Sequence, residues 1–387
     1  MSYRRVAWFR AVLAAGWLAG LLLSARLWLG PRLYPRTPVW PLAAPFPFLA
    51  DRILFTAALV LLLLIAVRPK PAFPIAALLA VMAALAFEDQ SRWQPWVYQY
   101  FMLTAALGLL LRARAVAEER HAAWNTCRLI VVCTYLWSGL QKLNSDFTGR
   151  VFDWLTEPAT RFLPARVTPW VHLLGFTVPA IEAAIGVGLL VKRLRPAAVL
   201  SALAMHAWIL LALGPLGRNY NAVVWPWNVA MALSAVLLFW KTEDFPVQEV
   251  IWGRRFGFQT AILVLLGIAP LLSFFDRWDT GLSLALYTGN KNVATISMSD
   301  ATADRLPDEV LDYVTVSSEE DELDVDAWSM GELHVPPYPE ARVFRNVARS
   351  VCGYTHNPPD LKLVIEGRTA LFHPPHTSVW RCSALVK

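Results

Sequence analysis

Apolar runs long enough to cross a bilayer recur along most of this chain, and they dictate the class of fold. A hydrocarbon core about 30 Å thick is crossed by roughly 20 helical residues, and a spanning segment must satisfy its own backbone hydrogen bonds. Such runs lie near 7–29, 51–67, 73–88, 96–112, 127–143, 169–191, 196–214, 221–240 and 257–275. The expectation is an all-α polytopic membrane protein of about nine transmembrane helices, with the lipid bilayer as its first partner. At 56% hydrophobic and 17% charged residues the chain is not a soluble domain. The net charge of +6 is better explained by loop markers than by a polyanion site, so no nucleic-acid partner is expected. Two places strain the count. Runs two and three are short and meet at Arg68-Pro69-Lys70-Pro71, and run eight carries Trp225-Pro226-Trp227-Asn228 near its start.

Basic residues order the spans. Arg4 and Arg5, Arg68 and Lys70, Arg112, Arg114 and Arg120, Lys192, Arg193 and Arg195, then Lys241, Arg254 and Arg255 fall on alternate loops, which places them on one face. That face is expected to be cytoplasmic, in a cell inner or plasma membrane. The first run lacks a small-residue cleavage signature and reads as a retained signal anchor.

After Phe275 the composition changes. Residues 276–387 hold an acidic cluster over 317–326, a Pro-rich turn over 335–339, a strand-like run over 361–366 and a helical pattern over 339–351. They read as a small C-terminal α+β extramembrane domain behind a transmembrane domain over 1–275. Nine spans with an inside N-terminus put this tail, and Lys142, outside the cytoplasm. No internal repeat is visible.

Lys142 ends the fifth run, where a cation either snorkels to the headgroups or is held in a cavity for its chemistry. Held in a cavity, it is a candidate base. Glu182 lies mid-run among Ala and Gly residues that allow close helix contact, and His206 lies deep in the next run. Together the three form a set of titratable groups able to move protons, although a lone buried His also serves as a strut. Glu88, Asp89 and Arg92, in the turn after the third run, are either the lip of an active cavity or solvated charges in an aromatic belt with Trp93, Trp96, Tyr98 and Tyr100. Of the four cysteines, Cys127 and Cys133 read as packing residues. Cys352 and Cys382 are either a disulfide or two core thiols. There is no CxxC, His-Cys cluster or HExxH, so no metal site is expected.

The segment Ser138-Gly-Leu-Gln-Lys-Leu-Asn-Ser-Asp-Phe-Thr-Gly149 resembles vitamin K-dependent gamma-carboxylase and its bacterial relatives, the horizontally transferred transmembrane domain proteins. The Glu182 span and Ser201 to Trp227, with His206, Gly214 and Trp225-Pro226, extend the resemblance. It implies a quinol-dependent enzyme in which Lys142 is the base acting on a reduced quinone of menaquinone or vitamin K type. His206 would be a hydrogen-bonding partner, Glu182, Trp137 and Trp225 would line the cofactor, and Asp146 would flank the site. A protein substrate is implied, although a tail of about 110 residues replaces the large substrate-recognition region of the animal enzyme. Two other classes fit the residues. Small membrane proteins of the DoxX and MauE type share a Gly-x-x-Lys span and an acidic-Gly helix, and are thought to support quinone-linked redox or partner maturation. A small-solute transporter would use Glu182 and His206 as coupling groups, but shows no inverted repeat.

Overall fold

The structure is a computed structural model that describes residues 2–40, 46–112, 114–253, 257–372 and 374–386. Arg254 and Arg255, used above as loop markers, lie outside the described residues. Its helices are α1 (Tyr3–Leu23), α2 (Phe48–Val67), α3 (Ala72–Glu88), α4 (Pro95–Leu111), α5 (Ala117–Leu140), α6 (Phe152–Thr160), α7 (Thr168–Leu174), α8 (Val178–Leu190), α9 (Arg195–Leu213), α10 (Val224–Phe239) and the mixed helical segment α11 (Gly257–Phe275). The chain is a multi-pass membrane protein. Among the described residues, five helical segments are long and apolar enough to span: α1, α2, α7 with α8, α9 and α11.

Four of the expected nine do not meet that measure. Helices α3, α4 and α10 are apolar but have 17, 17 and 16 residues, about 25 Å of rise, short of the hydrocarbon thickness. Helix α5 is long enough but carries Glu118, Glu119, Arg120 and Arg128. Its residues from Ala123 to Gly139 are buried almost without interruption. A helix buried on every face is the centre of a bundle, enclosed by α4, α8, α10 and α11 rather than by lipid.

Basic loops do converge at one end. Arg10 donates to the Arg68 carbonyl, Arg5 to the Lys241 carbonyl, and Lys192 and Arg195 flank Asp244. At the other end sits a five-stranded antiparallel sheet of β1 (Val293–Met298), β2 (Val314–Thr315), β3 (Asp321–Asp324), β4 (Leu361–Glu366) and β5 (Thr377–Arg381), in the order β2-β3-β1-β4-β5. The strand-like run over 361–366 is β4, and most of the acidic cluster is the approach to β3 and β3 itself. Alternation puts Ala294, Ile296 and Met298 of β1 beside Leu361, Leu363 and Ile365 of β4 on the buried face. Helix α12 (Val325–Leu333) and helix α13 (Ala341–Val351) pack on the sheet, the latter through Val343, Phe344, Val347 and Val351. Cys352, at the end of α13, is bonded to Cys382 after β5. Cys127 and Cys133 are free and buried in α5.

The tail is fastened to the bundle. Glu332 accepts the Leu33 and Tyr34 amides at 2.5 and 2.8 Å, Arg342 donates to Gln90 at 2.8 Å, and Gln94 donates to the Pro336 carbonyl at 2.9 Å.

Candidate functional site

Helix α5 sets the site. Thr134, Tyr135, Ser138 and Lys142 are spaced by one, three and four residues, which stacks their side chains along one helix face. That face meets α8 where glycines remove the side chains between them, so Glu182 approaches Lys142. The Lys142 ammonium donates to Glu182 Oε2 at 2.9 Å, to Ser138 Oγ at 2.8 Å and to the Ser138 carbonyl at 3.1 Å. All three of its hydrogens are used. At 7% exposure Lys142 is no snorkelling anchor.

Beside this pair, His206 of α9 lies between Tyr135 and Asn228 of α10, each at 2.8 Å. Asn228 donates its amide nitrogen to the Val224 carbonyl, which leaves Oδ1 as the acceptor facing His206. The network therefore assigns the proton to His206 Nδ1, and Nε2 accepts the Tyr135 hydroxyl hydrogen. A further chain runs alongside: Trp227 Nε1 donates to Gln99 Oε1, Gln99 Nε2 to Thr134 Oγ1 at 2.6 Å, and Thr134 to the Ile130 carbonyl.

Lys142, Glu182, Ser138, Tyr135, His206 and Asn228 line one cavity of ≈130 Å³ whose other walls are mostly apolar and aromatic, among them Phe147, Phe152, Met205 and Trp208. Its volume is comparable to engineered cavities of about 150 Å³ that bind a single benzene ring. Buried donors and acceptors converging on an apolar cavity are the usual form of a small-molecule site.

Residues 120–224 match the family model of methylamine utilisation protein MauE. That stretch holds α5 to α9, with Lys142, Glu182 and His206. No curated protein and no solved structure matches the chain. The match overturns the resemblance to gamma-carboxylase and its transmembrane relatives, because it covers the segments on which that resemblance rested except for the last three residues, Trp225 to Trp227.

The other candidates fall elsewhere. Trp137 donates to the Gly267 carbonyl and Trp225 to the Leu213 carbonyl, and neither lines the cavity; Trp227, two residues on, does. Asp146 lies 3.9 Å from Arg150 near the surface. Glu88, Asp89 and Arg92 are neither a cavity lip nor solvated: with Arg32, Arg36 and Asp51 they form a buried cluster of three guanidiniums and three carboxylates that ties the loop after α1 to the ends of α2 and α3. Neighbours in sequence diverge on a helix, but the break after Glu88 lets both carboxylates turn inward. Tyr135, Ser138, Thr134 and Asn228 were the residues missed; their one-face spacing with Lys142 was the available signal for the first three.

Proposed function

We propose that the chain is a MauE-like membrane protein whose inner cavity holds the ring of a membrane-soluble quinone, in support of quinone-linked redox or maturation of a partner protein. One observation carries this reading: a buried ammonium, carboxylate, phenol and imidazole converge on a ring-sized cavity with mostly apolar walls inside the bundle. A quinone needs this combination, since its ring is apolar while its two oxygens take up protons when it is reduced. Lys142, on giving up its bond to the Ser138 carbonyl, and Tyr135, on turning its hydroxyl away from His206, are the donors suited to those oxygens, with Glu182 and His206 as the proton-accepting groups beside them. The N-terminus is cytoplasmic and residues 276–387 are extracytoplasmic, a reading supported by the basic residues gathered at the bundle end opposite the tail. The short helices α3, α4 and α10 and the enclosed α5 also cross, which makes nine passes and puts the two termini on opposite sides; the short ones do so in locally thinned bilayer or with their ends shielded by neighbouring helices.

Lipid extraction of the detergent-purified protein followed by mass spectrometry tests this. Quinone should copurify near one per chain and be lost from Tyr135→Phe combined with His206→Ala. Absence of quinone from the wild type, with solute uptake into vesicles instead, would overturn the reading in favour of a transporter.

A further inference from the structure

Trp227, Leu286 and Tyr287 line the inner cavity on one side and a larger outer cleft of ≈470 Å³ on the other. The outer cleft lies between the bundle end and the tail, walled by Trp93, Trp154 and Tyr338 and by Pro336, Pro337 and Pro339. Part of its wall is the loop from Ala285 to Gly289, where Tyr287 holds φ 53°, next to Leu284 at φ 56°. Two bulky residues in the left-handed region within four positions are strained, and such strain concentrates at ligand sites.

The cleft's hydrogen bonding is incomplete in a specific way. Asn221 Oδ1, Asp326 Oδ2 and Thr280 Oγ1, on residues that line it, have no partner among the described residues. The amides of Tyr287 and Gly289 likewise meet no carbonyl or side-chain acceptor among the described residues. Buried polar groups are otherwise almost always paired. Charge on the lining is balanced, Arg150 and Lys291 against Asp324 and Asp326, with Lys291 bonded to Asp326 through Oδ1. A simple anion would satisfy the amides and leave the acceptors; a cation would do the reverse. An extended polypeptide presents a donor and an acceptor at nearly every residue, and its side chains suit walls of aromatic rings and proline.

We propose that the outer cleft is the docking site for an extended segment of a partner polypeptide, held by backbone hydrogen bonds along 285–289 and delivered to the wall shared with the inner cavity. It rests on the reading of the inner cavity as a redox site that serves a partner protein.

The test uses the full chain in lipid nanodiscs, with Ala285→Cys reacted after folding with a bulky maleimide. The probe is reduced, carboxymethylated lactalbumin, an unfolded chain, against the native folded form. The unlabelled variant should bind the unfolded probe and not the folded one, and the label should weaken binding about tenfold or more. The same label on Glu320→Cys should change nothing. Binding that survives the label at position 285, binding of the folded form as strongly, or no binding of the unfolded probe would each overturn the proposal. Bound quinone is measured on the same samples. Quinone retained without cleft-dependent binding removes this proposal alone, and cleft-dependent binding without quinone removes the reading of the inner cavity alone.

Discussion

The Lys142 ammonium reaches the Glu182 carboxylate, 2.9 Å away, because α5 and α8 touch backbone to backbone. A Cβ on Gly139 would stand 2.3 Å from the Ala183 nitrogen, and one on Gly186 would stand 2.9 Å from the Leu136 nitrogen. Gly139→Ala and Gly186→Ala should therefore push the helices apart, each costing about 2 kcal/mol or more. Gly149→Ala, with nothing within 4 Å, serves as the control and should stay within about 0.5 kcal/mol. Thermal unfolding in detergent measures all three, and equal melting temperatures would show that glycine is not required at the contact.

Breaking the ion pair is expected to be worse than removing it. Lys142→Ala or Glu182→Gln leaves one buried charge unpaired, at a cost of about 3–5 kcal/mol, whereas Lys142→Met with Glu182→Leu should recover most of the loss. Quinone content should fall in all three. Lys142→Arg decides between charge and proton transfer, since guanidinium keeps its proton near neutral pH. An arginine variant with normal turnover of a quinone-linked assay would rule out proton transfer at this position.

Stability should fall as pH rises across a window set by Glu340 in the tail. Burial, with the Asp279 carboxylate nearby, pushes the Glu340 carboxyl up to about 7. Between its ordinary value of 4.5 and 7 the folded state holds the proton more tightly than the unfolded one, so ionisation works against folding. The decline should reach roughly 3 kcal/mol at most and flatten above pH 7, and Glu340→Gln should abolish it. Asp279 has the opposite sign: although burial pushes it up, hydrogen bonds from Arg342 and Tyr338 hold it below its ordinary range, and its contribution is lost only under more acid conditions. A melting temperature independent of pH from 5 to 7 in the wild type would exclude the Glu340 effect.

The Cys352–Cys382 bond closes a separation of 30 residues, worth about 3.6 kcal/mol by the chain-entropy estimate. Cys352→Ser, Cys382→Ser and the double variant should then destabilise the tail equally. Thiol counting in the unfolded, unreduced protein should find two, those of Cys127 and Cys133; four reactive thiols would contradict the bond.

Orientation is checked by Glu320→Cys, on the exposed approach to β3. In intact cells it should label with an impermeant maleimide. Labelling only after lysis would put the tail, and the outer cleft with it, on the cytoplasmic side.

Composition and apolar run length alone determined that this chain lives in a membrane and that its character changes after Phe275, because transfer of a long apolar helix out of water depends on local sequence. The same information located Lys142, Glu182 and His206 as expensive polar residues, for the same reason. Run length could not tell a helix facing lipid from α5, whose surroundings are other helices. It also could not tell that Glu88, Asp89 and Arg92 neutralise Arg32, Arg36 and Asp51, since those partners come from the loop after α1 and from α2, up to 57 positions away. Which of the polar residues share a cavity was decided by tertiary packing: Gly139 and Gly186 set the approach of α5 to α8, and Asn228 reaches His206 from a third helix.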